Sequence, residues 1–289
     1  MKKILALFLL LTLGLCSCNA TSSSTTTGQS DDVPPVQSNK EDGPVKKAVL
    51  LLGQSNMAGR GYVNSVEKID DDRIYMMRDL QWIKMEEPIF TDKPTAGTGP
   101  ASAFAKAYVE TYNENLGLIP AAFGGSSLAD WAVGGDLYNN AIEMCKEALR
   151  TADIVAILWH QGESDSDNMY YARDLSAIID ALYEELELDP NKVPFIAGEL
   201  FERGDASENR DFIVNPTMVN NMLPKLKNHF PLFALVSGKG FRHIGDRAHL
   251  DGPSTRVLGY RYFTAYYELV EGKACPYEYS ENLDDYLIK

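Results

Sequence analysis

The chain has 289 residues, of which 45% are hydrophobic and 24% charged, with a formal net charge of −14. That is ordinary globular material, long enough for one large core, and its acidity excludes nucleic acid and anionic membrane surfaces as natural partners. No Cys-x-x-Cys or His-Glu-x-x-His spacing occurs, so no recognisable metal pattern is encoded.

Lys2 and Lys3 precede the apolar run Ile4 to Leu15. The run is too short to cross a bilayer comfortably and has the layout of an export signal. Leu15-Cys16-Ser17-Cys18 resembles a bacterial lipoprotein signal with Cys18 as the acylated residue; an ordinary secretory signal is the alternative. Residues 19–44 are Ser, Thr, Asp, Gln and Pro with scarcely an apolar side chain, the composition of a disordered tether. The expectation is an exported protein at the periplasm or cell surface, touching a bacterial membrane only through its lipid. A domain over 45–272 and a C-terminal extension over 273–289 follow. Beyond the leader the cysteines are Cys145 and Cys275, and the sequence leaves open one disulfide or two free thiols.

Val49 to Leu52 form a continuous apolar run, as in a parallel strand buried on both faces. Gly53 ends it, and Gln54, Ser55, Asn56 and the small-residue stretch Ala58-Gly59-Arg60-Gly61 make a polar corner. Three readings compete there. Ser55 can cap the next helix. A phosphate-binding loop fails on spacing, since Gly59 comes one position late and Arg60-Gly61 follows it. A nucleophilic Ser55 needs a base, a residue orienting that base, and an oxyanion hole from elsewhere in the chain.

Residues 62–98 read as an excursion over the top of the sheet, with short β-like pieces at Arg73–Met77 and Gln81–Lys84. Helices are expected at 101–112, 137–150, 175–186, 216–229 and 253–270, and further strands at 116–123, 153–159, 193–197 and 232–237. Strands alternating with helices predict an α/β fold, a three-layer α/β/α sandwich around a mostly parallel sheet of about five strands.

Polar corners end several of these strands, at Ser55, Gly125, Gln161 and the loop Gly245-Asp246-Arg247-Ala248-His249, and a parallel sheet brings such corners to one edge. Asp246 precedes His249 by three residues, an offset that lets a carboxylate fix the ring's tautomer and stabilise its imidazolium. Asp251 is the rival carboxylate and His243 the rival base. The amides of Ser55 and Gly125 and the side-chain NH2 of Gln161 are the candidate oxyanion donors.

In order and spacing, GQSNMAGRG, GGSSLADW, WHQGESD and DRAH resemble the four signature blocks of SGNH-type serine esterases, in the branch of acetylxylan esterases and sialate O-acetylesterases. The resemblance covers roughly residues 46–270. It implies a flavodoxin-like sandwich, Ser55 as nucleophile, Asp246 and His249 completing a triad, and Gly125 and Gln161 helping to hold an oxyanion. It further implies hydrolysis of O-acetyl esters on carbohydrate, acetylated xylan or a similar glycan, with no metal or organic cofactor. O-acetylated sialic acid as substrate, or a noncatalytic glycan-binding role, are the alternatives. Asn56, Arg60, Trp131 and Glu163 lie in or beside the blocks and are candidate sugar contacts. Ser126 stands where the family often has Thr.

Overall fold

The computed structural model describes residues 40–202 and 215–288. The leader, Cys18 and the tether up to residue 39 lie outside the described residues.

Strand β1 (Lys47–Gly53) runs through the middle of a seven-stranded sheet. Its side chains alternate between two cores, Val49 and Leu51 entering one and Ala48, Leu50 and Leu52 the other. A run that is apolar at every position therefore requires cover on both faces. After a single helical turn, α1 (Ser55–Ala58), come β2 (Ile74–Arg78), β3 (Gln81–Lys84), α2 (Ala101–Tyr112), β4 (Leu116–Pro120), α3 (Asp136–Leu149) and β5 (Asp153–His160). The chain continues through α4 (Tyr171–Glu185), β6 (Phe195–Gly198), α5 (Thr217–Met222), β7 (Phe233–Val236) and α6 (Gly252–Glu271). The strand order is β3-β2-β4-β1-β5-β6-β7, and every neighbouring pair is parallel except β2 and β3. Side chains of α2 and α6 fill one core, those of α3, α4 and α5 the other. The three-layer α/β/α sandwich is as expected.

The sheet is wider than expected because the supposed excursion supplies two of its strands. β2 pairs with β4, and β3 folds back on β2 through Asp79 and Leu80, both in the left-handed region at φ 50° and 59°. Two consecutive positive φ values make a tight hairpin turn, usually signalled by Asn-Gly; Asp-Leu gives no such signal. The expected helix over 216–229 divides into α5 and a 3₁₀ stretch, Leu223–Asn228, that contains Pro224, a residue with no N–H to continue an α-helix.

Both ends of the domain differ from the expected boundaries. Lys40 Nζ donates to Leu149 O and Ala152 O at 3.2 and 2.6 Å and pairs with Asp153 at 3.0 Å, so residues 40–44 belong to the fold and not to the tether. At the other end Leu283 is buried, Leu287 bridges to Val66, and Tyr277, Tyr279 and Tyr286 surround the ring of Tyr260 at 5.5, 5.3 and 6.0 Å. The extension is a strap packed on the α2 and α6 side. Cys145 and Cys275 are free thiols belonging to opposite layers, and burial pushes the Cys145 thiol up.

Helix α6 approaches the start of α2 at Gly259, where an added Cβ would lie 2.2 Å from Pro100 O and 2.7 Å from Ala103 Cβ. A backbone carbonyl cannot swing aside as a side chain can. Gly259→Ala is therefore expected to lower unfolding stability by about 1–2 kcal/mol, overpacking outweighing alanine's better helix propensity. Urea melts check this; an unchanged or higher midpoint would show that the two helices can move apart at little cost.

Candidate active site

β1 and β5 run side by side to their last residues, Gly53 opposite His160. A Cβ on Gly53, which has φ 127°, would sit 2.1 Å from His160 O, so only glycine allows the strands to close at this edge. Gln54 N then donates to His160 O at 2.9 Å, and Gln54 O accepts from Met57 N and Ala58 N at 3.0 and 2.9 Å. The chain thus turns into α1 directly off the strand, with Ser55 at its first position and 5% exposed.

The loop between β7 and α6 arrives at the same rim. Ser55 Oγ lies 3.0 Å from His249 Nε2, and His249 Nδ1 lies 2.6 Å from Asp246 Oδ2. Asp246 Oδ1 accepts from Ala248 N at 3.0 Å and His249 N at 2.9 Å, which bends the loop so that carboxylate and ring meet. Burial pushes the Asp246 carboxyl up, but the bonds from the His249 amide and ring and the Ala248 amide outweigh it and hold the group below the usual carboxylate value. An ionised Asp246 accepts the hydrogen bond of Nδ1–H, which places the ring's one proton on Nδ1 and leaves Nε2 unprotonated toward the hydroxyl. The rivals build turns instead. His243 Nδ1 accepts from Gly245 N and Arg247 N at 2.9 and 3.3 Å, and Asp251 caps α6 through Ser254 N at 2.8 Å while pairing with Arg242 at 3.1 Å.

Of the three expected oxyanion donors, two are backbone amides. Those of Ser55 and Gly125 carry no hydrogen bond among the described residues. Gly125 has φ 81°, and a Cβ there would meet nothing within 4 Å. Gln161 differs from the expectation. Its Nε2 donates to Ser126 O at 3.0 Å and Asp165 Oδ2 at 2.6 Å, and Gln161 is fully buried. Both N–H groups are engaged, so the side chain braces the Gly125-Ser126 turn. Tyr171 Oη, accepting from the Trp159 indole at 2.9 Å, shares its own proton between Gln161 O and Oε1 at 2.6 and 2.9 Å.

The four expected sugar contacts are likewise structural. Asn56 is 2% exposed and its carboxamide is filled by Glu163 Oε1 at 2.6 Å, Ala248 O at 3.2 Å and Leu250 N at 3.0 Å. Glu163 accepts that bond; its Oε2 is buried with no partner among the described residues, and burial pushes the carboxyl up against the opposing effect of Asn56. Arg60 forms a buried ion pair with Asp92 at 2.6 Å, and Asp92 Oδ2 also accepts from Gly124 N at 2.7 Å. A Cβ on Gly124 would lie 2.1 Å from Arg60 Nη2 and 2.8 Å from Asp92 Oδ2, so any other residue there would have to displace this ion pair. Trp131 is fully buried, donates to Ser126 Oγ at 2.9 Å and packs edge-on against Trp159. Nothing in the sequence singles out Asp92, which stands between the strands of the sheet's edge and α2 and belongs to no spaced pattern.

Two clefts open at this rim. One of about 590 Å³ is lined by Tyr62, Val63, Ile244, Asp246 and His249 among others. The second, of about 610 Å³, is lined by Lys93, Phe123, Gly125, Ser126 and Asp136 among others. A hydroxyl bonded to an imidazole, the imidazole bonded to a carboxylate, and two unengaged amides are the groups needed to attack a carboxylic ester and hold the resulting anion.

Residues 45–268 match the family model described as carbohydrate esterase, sialic acid-specific acetylesterase. A probable carbohydrate esterase of Arabidopsis thaliana is 33% identical over 183 residues, which are 56% of this chain and 69% of that protein. A crystal structure of an Arabidopsis thaliana protein superposes with a TM-score of 0.66 at 26% identity, over 76% of this chain and 97% of the other. NanS superposes with a TM-score of 0.61 at 14% identity, over 79% of this chain and 98% of its own. A carbohydrate acetylesterase from Xanthomonas citri does so at 0.57 and 17%, over 80% of this chain and 57% of that one. These last two are likenesses of fold.

Directly behind the site, His160 is 1% exposed, and burial pushes its pKa down to about 4. Tyr262 Oη gives its proton to Trp159 O at 2.7 Å, so His160 Nδ1, 3.2 Å away, is the donor to Tyr262 and the ring is neutral. Between about pH 4 and 6.5 an unfolded chain would bind a proton here that the folded chain does not, so stability rises with pH across that window. Unfolding free energy should fall on the order of 3 kcal/mol from the upper to the lower limit. Denaturant titrations at several pH values should show a shallower dependence for His160→Gln; equal slopes for variant and wild type would remove His160 as the cause.

Proposed function

The chain belongs to the sialic acid-specific acetylesterase family of carbohydrate esterases, and from that membership we propose that it removes O-acetyl groups from a glycan by serine chemistry, through an acetyl-enzyme on Ser55. It is a carboxylic ester hydrolase acting on acetylated carbohydrate. The observation that carries the serine mechanism is the unbroken contact chain from Ser55 Oγ to His249 Nε2 at 3.0 Å and from His249 Nδ1 to Asp246 Oδ2 at 2.6 Å.

In this reading Ser55 Oγ attacks the acetyl carbonyl as its proton passes to His249 Nε2. The imidazolium is stabilised by Asp246, whose carboxyl is held in its ionised form. The negative oxygen is received by the amides of Ser55 and Gly125. Collapse of the tetrahedral intermediate breaks the bond to the sugar oxygen, which takes the proton from His249 Nε2 and leaves as the alcohol. A water then gives a proton to the same nitrogen and adds to the acetyl carbonyl, and collapse breaks the bond to Ser55 Oγ, which takes the proton back from Nε2 as acetate leaves. Acetylated xylan or a similar glycan is the proposed substrate; the family description favours O-acetylated sialic acid as the second reading. We also propose, from the leader sequence alone, that Cys18 is acylated and that the enzyme works beside a bacterial membrane, tethered to it.

Ser55→Ala and His249→Ala should each lower turnover of p-nitrophenyl acetate by a factor of about 10⁴ to 10⁶, and the double variant no further, because residues acting as one unit are not additive. Asp246→Asn should cost about 10⁴ in kcat. Stopped acid quench and mass spectrometry should find one acetyl group on the peptide containing Ser55. Undiminished turnover by Ser55→Ala would end the serine reading.

A further inference from the structure

The imidazole that takes the Ser55 proton must hand it to the departing oxygen, so the alcohol half of the ester has to sit within hydrogen-bond reach of His249 Nε2. That requirement divides the two clefts. The one that includes His249 and Asp246 is the leaving-group side, and its volume of about 590 Å³ suits a sugar. Its walls bear on which sugar. Tyr62 and Val63 are 60% and 45% exposed, although both border a cleft, and Ile244 adds a third apolar side chain.

Charge is scarce there. Arg60 reaches the wall, but its guanidinium is taken by Asp92 at 2.6 Å and Gly59 O at 2.7 Å. Asp246 is bonded to His249. Among the described residues lining this cleft no cation is left for a carboxylate, and a desolvated carboxylate without one is costly.

Tyr62 is also held as a fixed platform. Gly61 N donates to Thr98 O at 3.1 Å and Thr98 N to Gly61 O at 2.7 Å, which pins the preceding residue. Tyr62 O accepts from Ser65 N at 3.0 Å and Ser65 Oγ at 2.6 Å, which pins its own peptide. An aromatic ring on a rigid backbone offers contact area at little entropic cost. Its electron-rich face suits the weakly positive C–H bonds on one side of a sugar ring.

We propose that Tyr62, with Val63 and Ile244, forms the leaving-group subsite, and that this subsite takes an uncharged sugar and discriminates against one bearing a carboxylate. The proposal rests on the esterase reading above and selects the neutral glycan over sialic acid. Three esters test it with the full chain: acetylated xylobiose, O-acetyl-N-acetylneuraminic acid and ethyl acetate. Wild type should have the higher kcat/KM on acetylated xylobiose than on the sialic acid ester. Tyr62→Ala should lose about tenfold more in kcat/KM on acetylated xylobiose than on ethyl acetate, mostly through KM, and Tyr62→Phe should recover most of that loss. The subsite is refuted by a preference for the sialic acid ester, or by equal losses on xylobiose and ethyl acetate. If Ser55→Ala hydrolyses ethyl acetate as wild type does, the esterase reading itself fails; if that activity needs Ser55 while Tyr62→Ala spares the glycan, only the subsite falls.

Discussion

One carboxamide, that of Asn56, spans the two peptide groups on either side of His249, donating to Ala248 O at 3.2 Å and accepting from Leu250 N at 3.0 Å. It joins the end of β1 to a loop that comes 194 residues later. Its second N–H is held by Glu163, at the end of β5, so the amide cannot rotate without giving up a buried bond. The ring of His249 is therefore placed relative to Ser55 by a neighbour of Ser55 itself. Reaction geometry tolerates little error, a displacement of about 1 Å costing on the order of 10²-fold in rate. For the proposed proton transfer, a link this short between Ser55 and His249 leaves few joints in which error can accumulate.

The loop is braced from its other side as well. Ile244 N donates to His249 O at 2.9 Å and Asp251 N to Arg242 O at 3.0 Å, closing residues 242–251 into a tight hairpin of backbone. Arg242 stands at its base between Asp251 and Asp284, at 3.1 and 2.6 Å. Asp284 belongs to the C-terminal strap, beyond the residues 45–268 that match the family model. The strap's tyrosines pack against Tyr260 of α6, so the last stretch of chain and the helix that follows His249 form one packed unit on that side of the sheet.

The layers of the fold were legible because each depends on a local period. Val49 to Leu52 had to be covered on both faces, and the 3.6-residue stripe of Leu175, Ile178, Ile179 and Leu182 became the buried face of α4. The convergence of Ser55, Asp246 and His249 was legible because strand ends in a parallel sheet share an edge. Hidden from the sequence were contacts between residues with no common period. The β2–β3 turn uses Asp79 and Leu80 at positive φ, a choice that propensity does not announce. Asn56, Arg60, Trp131 and Glu163 sit beside Ser55 and the other polar corners, a placement that in the sequence alone suggests reach toward substrate. All four turn inward, since backbone loops at a strand edge have many N–H and C=O groups to satisfy and polar side chains of adjacent loops are the nearest source of partners.

Gln161 illustrates what that inward turn does for chemistry. An oxyanion hole made of side chains would depend on rotamers, whereas one made of the Ser55 and Gly125 amides depends on where two peptide planes are fixed. Ser55 N is fixed by α1 starting directly off β1. The Gly125 segment is a turn closed by Ser126 N to Phe123 O at 3.3 Å and tied to β1 by Phe123 N to Gly53 O at 3.0 Å, and side chains add the rest of its support: Asp92 holds Gly124 N at 2.7 Å, Gln161 holds Ser126 O at 3.0 Å, and Trp131 holds Ser126 Oγ at 2.9 Å. Arg60 in turn neutralises Asp92 and fills the space that Gly124 leaves open. Donors fixed before charge develops need no reorganisation when it does, which is what makes such a hole effective. Under the proposed mechanism Asp92, Gln161, Trp131 and Arg60 would thus contribute without touching substrate, by holding a glycine turn in the fixed geometry that a helix end would have supplied.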